Sequence, residues 1–172
     1  MNGRSLDILI VEDEVLLATE LEFLVEEVGC HPVGLAMSSD EAVALASDLR
    51  PDLALVDVHL RDGPTGVEVA RTIHDDCGGV ALFMTANVKR LPEDFAGACG
   101  VIGKPYSEHG VKTALEYLTI CLTEDRAPGP PPVGLELSPA YARRWGVDER
   151  PAEPSQAEPQ VGRQAAPQAA QA

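Results

Sequence analysis

Several short apolar runs in the sequence end on residues that could do chemistry. These residues are Glu12 and Asp13, Asp57, Thr85 and Lys104. An apolar run of strand length that stops at a turn predicts a strand buried on both faces, so its last residue lies at the carboxyl end of the strand. In open α/β sheets this edge is where ligands bind. One acid there often marks only where a strand reaches water, but five such residues at equivalent ends favour a single cleft.

The residue types in this predicted cleft suit phosphoryl transfer. Unit charges of like sign repel by about 4 kcal/mol at 4 Å and an effective dielectric near 20, so three clustered carboxylates favour a hard divalent cation, Mg²⁺ or Mn²⁺. The Lys104 ammonium is a point charge for a phosphate oxygen, and the Thr85 hydroxyl can donate to another. The sequence offers no obvious general base, which fits a reaction driven by positioning and charge neutralisation.

The intervals between the reactive residues indicate the elements that must position them. Strands are predicted at residues 6–11, 31–36, 52–57, 80–84 and 99–102. Amphipathic helices are predicted at residues 14–28, 39–49 and 66–73 and onward from Ser107, with a short, poorly patterned one at 89–98 that Pro92 interrupts. This alternation predicts a doubly wound, five-stranded parallel sheet with helices on both faces.

Composition restricts the compartment and the partners. The net charge of −15 argues against nucleic acid or an anionic membrane as a direct partner, because phosphate contacts need Lys or Arg. The first apolar run is too short for a signal peptide or a membrane span, so we expect a cytoplasmic protein. The four cysteines form no Cys-x-x-Cys pair, and neither a disulfide framework nor a zinc site is indicated.

The composition changes after about residue 125. Residues 125–172 are rich in Pro, Ala and Gln and poor in large apolar residues, which predicts a largely disordered tail. Within it, Ser138 as an N-cap with Tyr141 and Trp145 one helical turn apart predicts a short helix at 138–146. Such a helix forms only transiently, or docks on the domain or on another protein.

Together these motifs resemble the receiver domain of two-component response regulators, over residues 5–124. The resemblance rests on Val11-Glu12-Asp13-Glu14, Val56-Asp57, Met84-Thr85-Ala86 and Lys104-Pro105-Tyr106. It implies a flavodoxin-like sheet of order 2-1-3-4-5. It also implies a protein that catalyses only its own phosphorylation and dephosphorylation, with a histidine kinase or a histidine phosphotransfer protein as the donor.

The resemblance also implies a role for each reactive residue. Asp57 is the expected phosphoryl acceptor. Glu12 and Asp13 are expected to hold magnesium together with Asp57, with the backbone carbonyl of His59 as a further ligand. Thr85 is expected to be the switch hydroxyl that moves onto the phosphoryl group, and Lys104 its permanent counter-ion.

Two departures from the family concern its output. Val101 stands three residues before Lys104, where the family usually has a switch aromatic, so the ordinary coupling to Thr85 is in doubt. Tyr106 is the nearest substitute, or else an ordinary packed aromatic. The interval from Thr85 to Lys104 is also short, in line with a reduced helix at 89–98.

We therefore expect a single-domain response regulator, monomeric or weakly dimeric, that signals by phosphorylation-dependent binding to a downstream protein. A phosphate sink that drains a kinase without its own partner is the alternative that sequence alone leaves open. A phosphatase is disfavoured because His59 stands where the leaving-group acid would be. A nucleotide or flavin domain is disfavoured because the first strand leads to Glu12 and Asp13 and not to a Gly-rich turn.

Overall fold

The computed structural model describes residues 4–147, which form one sheet with helices on both faces. The strands are β1 (Asp7–Val11), β2 (His31–Ala36), β3 (Leu53–Asp57), β4 (Val80–Thr85), β5 (Gly100–Gly103) and β6 (Leu135–Leu137). The α-helices are α1 (Val15–Glu27), α2 (Ser39–Leu49), α3 (Gly66–Asp75), α4 (Glu108–Glu124) and α5 (Pro139–Arg144). The first five strands and the first three helices all lie within two residues of their predicted bounds.

The sheet has the strand order β2-β1-β3-β4-β5-β6. The first five strands pair in parallel, and β6 is antiparallel to β5. The flavodoxin-like order 2-1-3-4-5 is therefore confirmed for these five. The prediction of five strands is wrong, because a three-residue segment between α4 and α5 adds a sixth strand at the β5 edge.

Alternate side chains of the central strands point to opposite faces of the sheet, which gives the domain two apolar layers. In β1, Ile8 and Ile10 pack on the side that holds α1, α4 and α5, whereas Leu9 and Val11 pack on the side of α2 and α3. The residues of β3 are all buried. Because both faces of these strands are covered, their apolar runs are continuous and end abruptly where each strand reaches the carboxyl edge.

The connection between β4 and β5 contains no α-helix. Two 3₁₀ turns, Val88–Arg90 and Phe95–Gly97, replace the short helix predicted at residues 89–98. Pro92 lies between the turns, and Ala96 has a left-handed backbone conformation with φ near 49°. An α-helix cannot continue through either position.

The segment after α4 folds back onto the domain. Residues 125–147, which the sequence predicts to be disordered, carry β6 and α5, and α5 lies within the helix predicted at 138–146. Leu135, Tyr141 and Trp145 are buried in the layer that α1 and α4 share. The alternative in which this helix docks on its own domain is the one that the structure shows. The rest of the predicted disordered tail, 148–172, lies outside the described residues.

The cysteines and the helices can be compared with two expectations from the sequence. All four cysteines carry free thiols, three of them buried. Among residues 4–147, no helix is both long and apolar enough to cross a membrane.

Candidate functional site

Three acidic side chains meet at the carboxyl edge of the sheet. Glu12 and Asp13 follow β1, Asp57 ends the neighbouring β3, and their ligand atoms all lie within 4.8 Å of one another. Glu12 is 1% exposed and Asp57 is 8% exposed, whereas Asp13 is half-buried. The parallel pairing of β1 with β3 therefore brings together carboxylates that are more than 40 residues apart in the chain.

Lys104 holds two of these carboxylates together. Its Nζ donates to Asp57 Oδ2 at 2.7 Å and to Glu12 Oε2 at 2.9 Å. The lysine directly follows β5, and its backbone N–H donates to the Thr85 carbonyl at the end of β4, 2.8 Å away. The β4–β5 pairing thus positions the ammonium over the two acids.

Backbone donors fix the remaining oxygens of the two buried acids. The His59 N–H donates to Asp57 Oδ1 at 3.1 Å, and the Glu14 N–H donates to Glu12 Oε1 at 3.1 Å. Gly66, the first residue of α3, lies so close to the end of β3 that a Cβ there would overlap the Asp57 carbonyl oxygen. A glycine at this position therefore lets the β3–α3 loop fold tightly around the Asp57 carboxylate.

The charges of the cleft shift one another's titration. Burial raises the pKa of Glu12 above its usual value, although Lys104 and the Glu14 N–H both stabilise its charged form. Burial lowers the pKa of Lys104, but its hydrogen bonds to Asp57 and Glu12 outweigh burial, so that this pKa lies above its usual value. The cleft thus keeps a firmly charged lysine beside an acid that is costly to ionise.

The donor set fits a hard divalent cation. All three side chains offer carboxylate oxygens, which is the ligand type that Mg²⁺ prefers, and there are few enough of them to leave places for water and phosphate oxygens. The raised pKa of Glu12 indicates that the single lysine does not fully offset the cost of burying this acid. A cation held by Glu12, Asp13 and Asp57 would relieve that cost.

Thr85 ends β4 beside this cleft and is 1% exposed. Its Oγ1 accepts a hydrogen bond from the Asn87 N–H at 3.2 Å, two residues further along. The hydroxyl is therefore engaged with the start of the β4–β5 connection. The sequence indicates Thr85 as a site residue but does not indicate this contact. No sequence pattern shows that the Thr85 side chain accepts a hydrogen bond from the backbone of Asn87.

The other residues named from the sequence lie around the cleft. The His59 side chain is exposed, and its backbone N–H is the group that contacts Asp57. Val101 is 1% exposed and lies in β5, paired with Phe83 of β4 and Glu136 of β6. A buried valine in this strand cannot swing between exposed and buried positions as an aromatic ring can.

Tyr106 is half-buried on the α1 side of Lys104. In the described part of the chain its Oη is shielded from solvent and has no hydrogen-bond partner, and burial raises the pKa of the phenol to about 12. It lines a surface cavity together with Leu17, Pro105 and Ala86, the first residue after β4.

The contacts that the sequence analysis missed lie in Gly66, Asn87 and the folded segment 127–147. The sequence indicates Gly66 only as a helix start, since its approach to Asp57 depends on the loop geometry. Asn87 carries no side-chain signal, because its backbone makes the contact. The segment 127–147 offers one usable signal in the sequence, the Ser138 N-cap followed by Tyr141 and Trp145 one helical turn apart.

Comparison with known proteins agrees with this geometry. Residues 8–116 match the family model of the response regulator receiver domain. The phyllosphere-induced regulator PhyR of Methylorubrum extorquens is 35% identical over 111 residues, which cover 63% of this chain and 42% of that protein. The transcriptional regulatory protein PdtaR of Mycobacterium tuberculosis is 35% identical over 114 residues, 63% of this chain and 54% of that protein. The chain thus spans about half the length of these curated relatives.

A solved structure shows the same fold. The solution structure of the Erythrobacter litoralis PhyR receiver domain is 28% identical, with a TM-score of 0.59, over 75% of this chain and 97% of that domain. Members of the matched family are phosphoryl-accepting switches that bind Mg²⁺ in an acidic pocket. With the family model covering most of the chain and the acids, threonine and lysine at its sheet edge, the chain belongs to the response regulator receiver domain family.

Proposed function

We propose that Asp57 accepts a phosphoryl group from the phosphohistidine of a histidine kinase or phosphotransfer protein, and that the phosphorylated form binds a downstream protein. The observation that carries this proposal is the contact of Lys104 Nζ with both Asp57 and Glu12, next to Asp13. A nucleophilic carboxylate, a fixed cation and a set of hard oxygen ligands are what phosphoryl transfer requires.

In the proposed reaction an Asp57 carboxylate oxygen attacks the phosphorus of the donor, and the phosphorus–nitrogen bond breaks. The histidine leaves with the electron pair and takes up a proton, so the product is an acyl phosphate on Asp57. Mg²⁺ held by Glu12, Asp13 and Asp57, with the His59 carbonyl as a further ligand, would neutralise charge on the phosphoryl oxygens. Lys104, whose pKa lies above the usual value beside the free carboxylates, would enter the reaction charged.

The surface next to the cleft suits a protein donor. Helix α1 begins two residues after Asp13. Its side chains Val15, Leu16 and Phe23 are 59%, 85% and 56% exposed. Large apolar side chains grouped on one exposed helix often mark a protein-binding surface. A donor helix packed on α1 would bring its phosphohistidine to Asp57.

The output of the proposed switch is protein binding. The Thr85 hydroxyl, which now accepts from Asn87, would move to donate to a phosphoryl oxygen on Asp57 and so alter the β4–β5 connection. Val101 is buried and cannot act as an aromatic switch, so the signal would leave through the backbone of this connection. The names of the two curated relatives describe regulators, which supports a regulatory output over a phosphate sink.

The test is phosphorylation of the full chain by acetyl phosphate and Mg²⁺, followed by intact mass spectrometry. We expect the mass of one phosphoryl group on the wild type, abolished by EDTA and absent from Asp57→Asn. Asp62→Asn is the matched control, because Asp62 lies in the same loop but its side chain bonds Ser39 and Thr65, away from the cleft. Equal phosphorylation of wild type and Asp57→Asn would refute the proposal.

Pull-down from a lysate with and without phosphorylation then separates the two outputs. A protein retained only by the phosphorylated wild type, and not by Asp57→Asn, supports the switch. A phosphate sink retains the same proteins in both states.

A further inference from the structure

We propose that the edge of β5 is a docking site for an extended segment of another protein, which residues 127–147 cover within the same chain until phosphorylation of Asp57 releases them. Residues 127–147 are called the strap below. This inference rests on the proposed function, and it adds the surface through which the output would act.

The strap binds the domain through backbone pairing and apolar burial. Strand β6 pairs with Gly100, Val101 and Ile102 of β5, and the Ser138 N–H donates to the Cys99 carbonyl at 2.8 Å. Leu135 of this strand, Tyr141 of α5 and the following Trp145 are 6%, 7% and 3% exposed. The Ala127 N–H donates to the Trp145 carbonyl at 3.1 Å, which closes the strap on itself.

The β5 edge is shaped for a strand at this position. A Cβ on Gly100 would overlap the Glu136 carbonyl oxygen, so glycine is what lets the second backbone approach. An unpaired strand edge is a template for added strands, and proteins commonly bind extended peptides by this means. The strap thus occupies a surface that another strand of similar sequence could use.

Three features of the strap favour its dissociation from the domain. It contributes a three-residue strand and a six-residue helix, joined to α4 by a Pro-rich stretch. Trp145 Nε1 is buried and, among the residues that the structure describes, has no hydrogen-bond partner. A buried donor left unpaired costs free energy in the docked state that exposure to water would return.

A short path of contacts joins the phosphorylation site to the strap. Thr85 Oγ1 accepts from the Asn87 N–H, and the adjacent turn begins at Val88. Val88 and Val101 line one side of a cavity of about 220 Å³, and Leu135 and Glu136 of the strap line the other. If the Thr85 hydroxyl moves towards a phosphoryl group, its hydrogen bond with the Asn87 N–H breaks. The turn Val88–Arg90 is then free to shift into this cavity.

The direction of the change follows from the arrangement in the structure. The strap is docked while the Thr85 hydroxyl bonds Asn87. Because the strap is already docked, tighter docking would barely change the docked fraction. Phosphorylation can therefore change the strap's population substantially only by releasing it. We therefore assign release to the state in which Thr85 faces the phosphoryl group.

The strap's own sequence indicates the chemistry of the partner. A fitting segment is extended, pairs antiparallel with Gly100–Ile102 and has an apolar side chain where Leu135 lies. It also places an aromatic ring at the end of a short helix, as Trp145 does after α5. A tethered strap competes at millimolar effective concentration, so such a partner binds weakly until the strap is released.

The experiment uses the full chain treated with acetyl phosphate and Mg²⁺, with intact mass measured on each sample. Acrylamide quenching of Trp145, the only tryptophan, reports release of the strap. Fluorescence anisotropy of a labelled synthetic peptide of residues 132–147 reports access to β5. On phosphorylation we expect quenching to rise towards that of the free peptide and peptide affinity to tighten roughly tenfold or more. Asp57→Asn should show neither change.

Two variants test the coupling without relying on phosphorylation alone. Leu135→Ala in the full chain should raise quenching and peptide affinity before any donor is added, and Val133→Ala, at a side chain that is 97% exposed, should not. Because coupling between two equilibria is reciprocal, Leu135→Ala should also raise the phosphorylated fraction at a fixed donor concentration.

The outcomes are distinguishable. A full phosphoryl gain with unchanged quenching and unchanged peptide affinity overturns the inference and leaves the proposed function intact. Absence of any phosphoryl gain refutes both. Release accompanied by a dimer mass in light scattering would assign the β5 edge to a second copy of the chain and overturn the assignment to another protein.

Discussion

The carboxyl edge of the sheet and its β5 side are held together by different forces. At the carboxyl edge a lysine bridges two buried acids, and the geometry depends on charge. At the β5 side the strap is held by strand pairing and by apolar residues such as Leu135 and Trp145. Charge placement suits chemistry on a phosphoryl group, whereas backbone pairing suits recognition of a chain segment. The two regions should therefore be separable by mutation.

The largest effect is expected from Lys104→Met, at the carboxyl edge. Removing the ammonium leaves Glu12 and Asp57 buried without their counter-ion, which should lower the free energy of unfolding by about 3 kcal/mol. Mg²⁺ should raise the free energy of unfolding of the variant by more than it raises that of the wild type. Urea unfolding at neutral pH, with and without Mg²⁺, measures both effects.

Lys112→Met is the matched control for that prediction. Lys112 pairs with Glu27 at 3.1 Å, but both side chains are about one-third exposed, so its loss should cost less than about 1 kcal/mol. Similar losses for the two lysines would mean that the cleft is no more sensitive to charge than the surface, and would remove the contrast between the two regions.

A smaller effect is expected from Gly100→Ala, at the β5 side. The new Cβ meets the Glu136 carbonyl oxygen, and we expect a loss of about 1–2 kcal/mol with faster amide hydrogen exchange in β6. Phosphoryl gain at Asp57 should persist. The control is Gly129→Ala, where an added Cβ meets nothing within 4 Å. Loss of phosphoryl gain in Gly100→Ala alone would show that the two regions cannot be separated.

The smallest effect is expected from Tyr117→Phe, which removes one bond between α4 and the strap. Tyr117 Oη donates to the Gly129 carbonyl at 2.9 Å, and its loss should cost about 1 kcal/mol. Burial raises the pKa of Tyr117 from its ordinary value near 10 to about 12. Because the folded state holds this proton more tightly, its contribution is present below pH 10 and is lost as the pH rises towards 12.

Urea unfolding of wild type and Tyr117→Phe across that pH range checks the sign. The wild type should lose stability more steeply than the variant, because other alkaline titrations are common to both proteins. Parallel curves would mean that the Tyr117 phenol titrates alike in the folded and unfolded states. Coincident curves would mean in addition that its bond to Gly129 adds nothing.

The first three strands and their helices were predictable because their signals are long and redundant. A run such as 52–57 is apolar throughout, ends on an acid and is followed by a Gly-Pro turn. Each signal agrees with the next, so the clustering of Glu12, Asp13 and Asp57 follows from parallel pairing alone. The sequence places Lys104, Glu12 and Asp57 in one cleft but does not predict the hydrogen bonds between them. Which side chains pair depends on the exact strand register.

The β5 side was less predictable for physical reasons. Strand β6 has three residues, too few for a periodic pattern, and its partner lies more than 30 residues earlier in the chain. The close approach at Gly100 has no signature in the sequence, because the residue is an ordinary glycine until a second backbone lies beside it. The 3₁₀ turns between β4 and β5 likewise depend on local backbone angles that composition does not specify.

The most direct test of the central claim is to locate the phosphoryl group. The chain treated with acetyl phosphate and Mg²⁺ is reduced with borohydride, which converts an aspartyl phosphate to homoserine, and is then digested and sequenced by tandem mass spectrometry. The account predicts homoserine at residue 57 and nowhere else. Homoserine at Asp13 or Asp62, or a phosphoryl group on a serine, threonine or histidine with residue 57 unmodified, would contradict it.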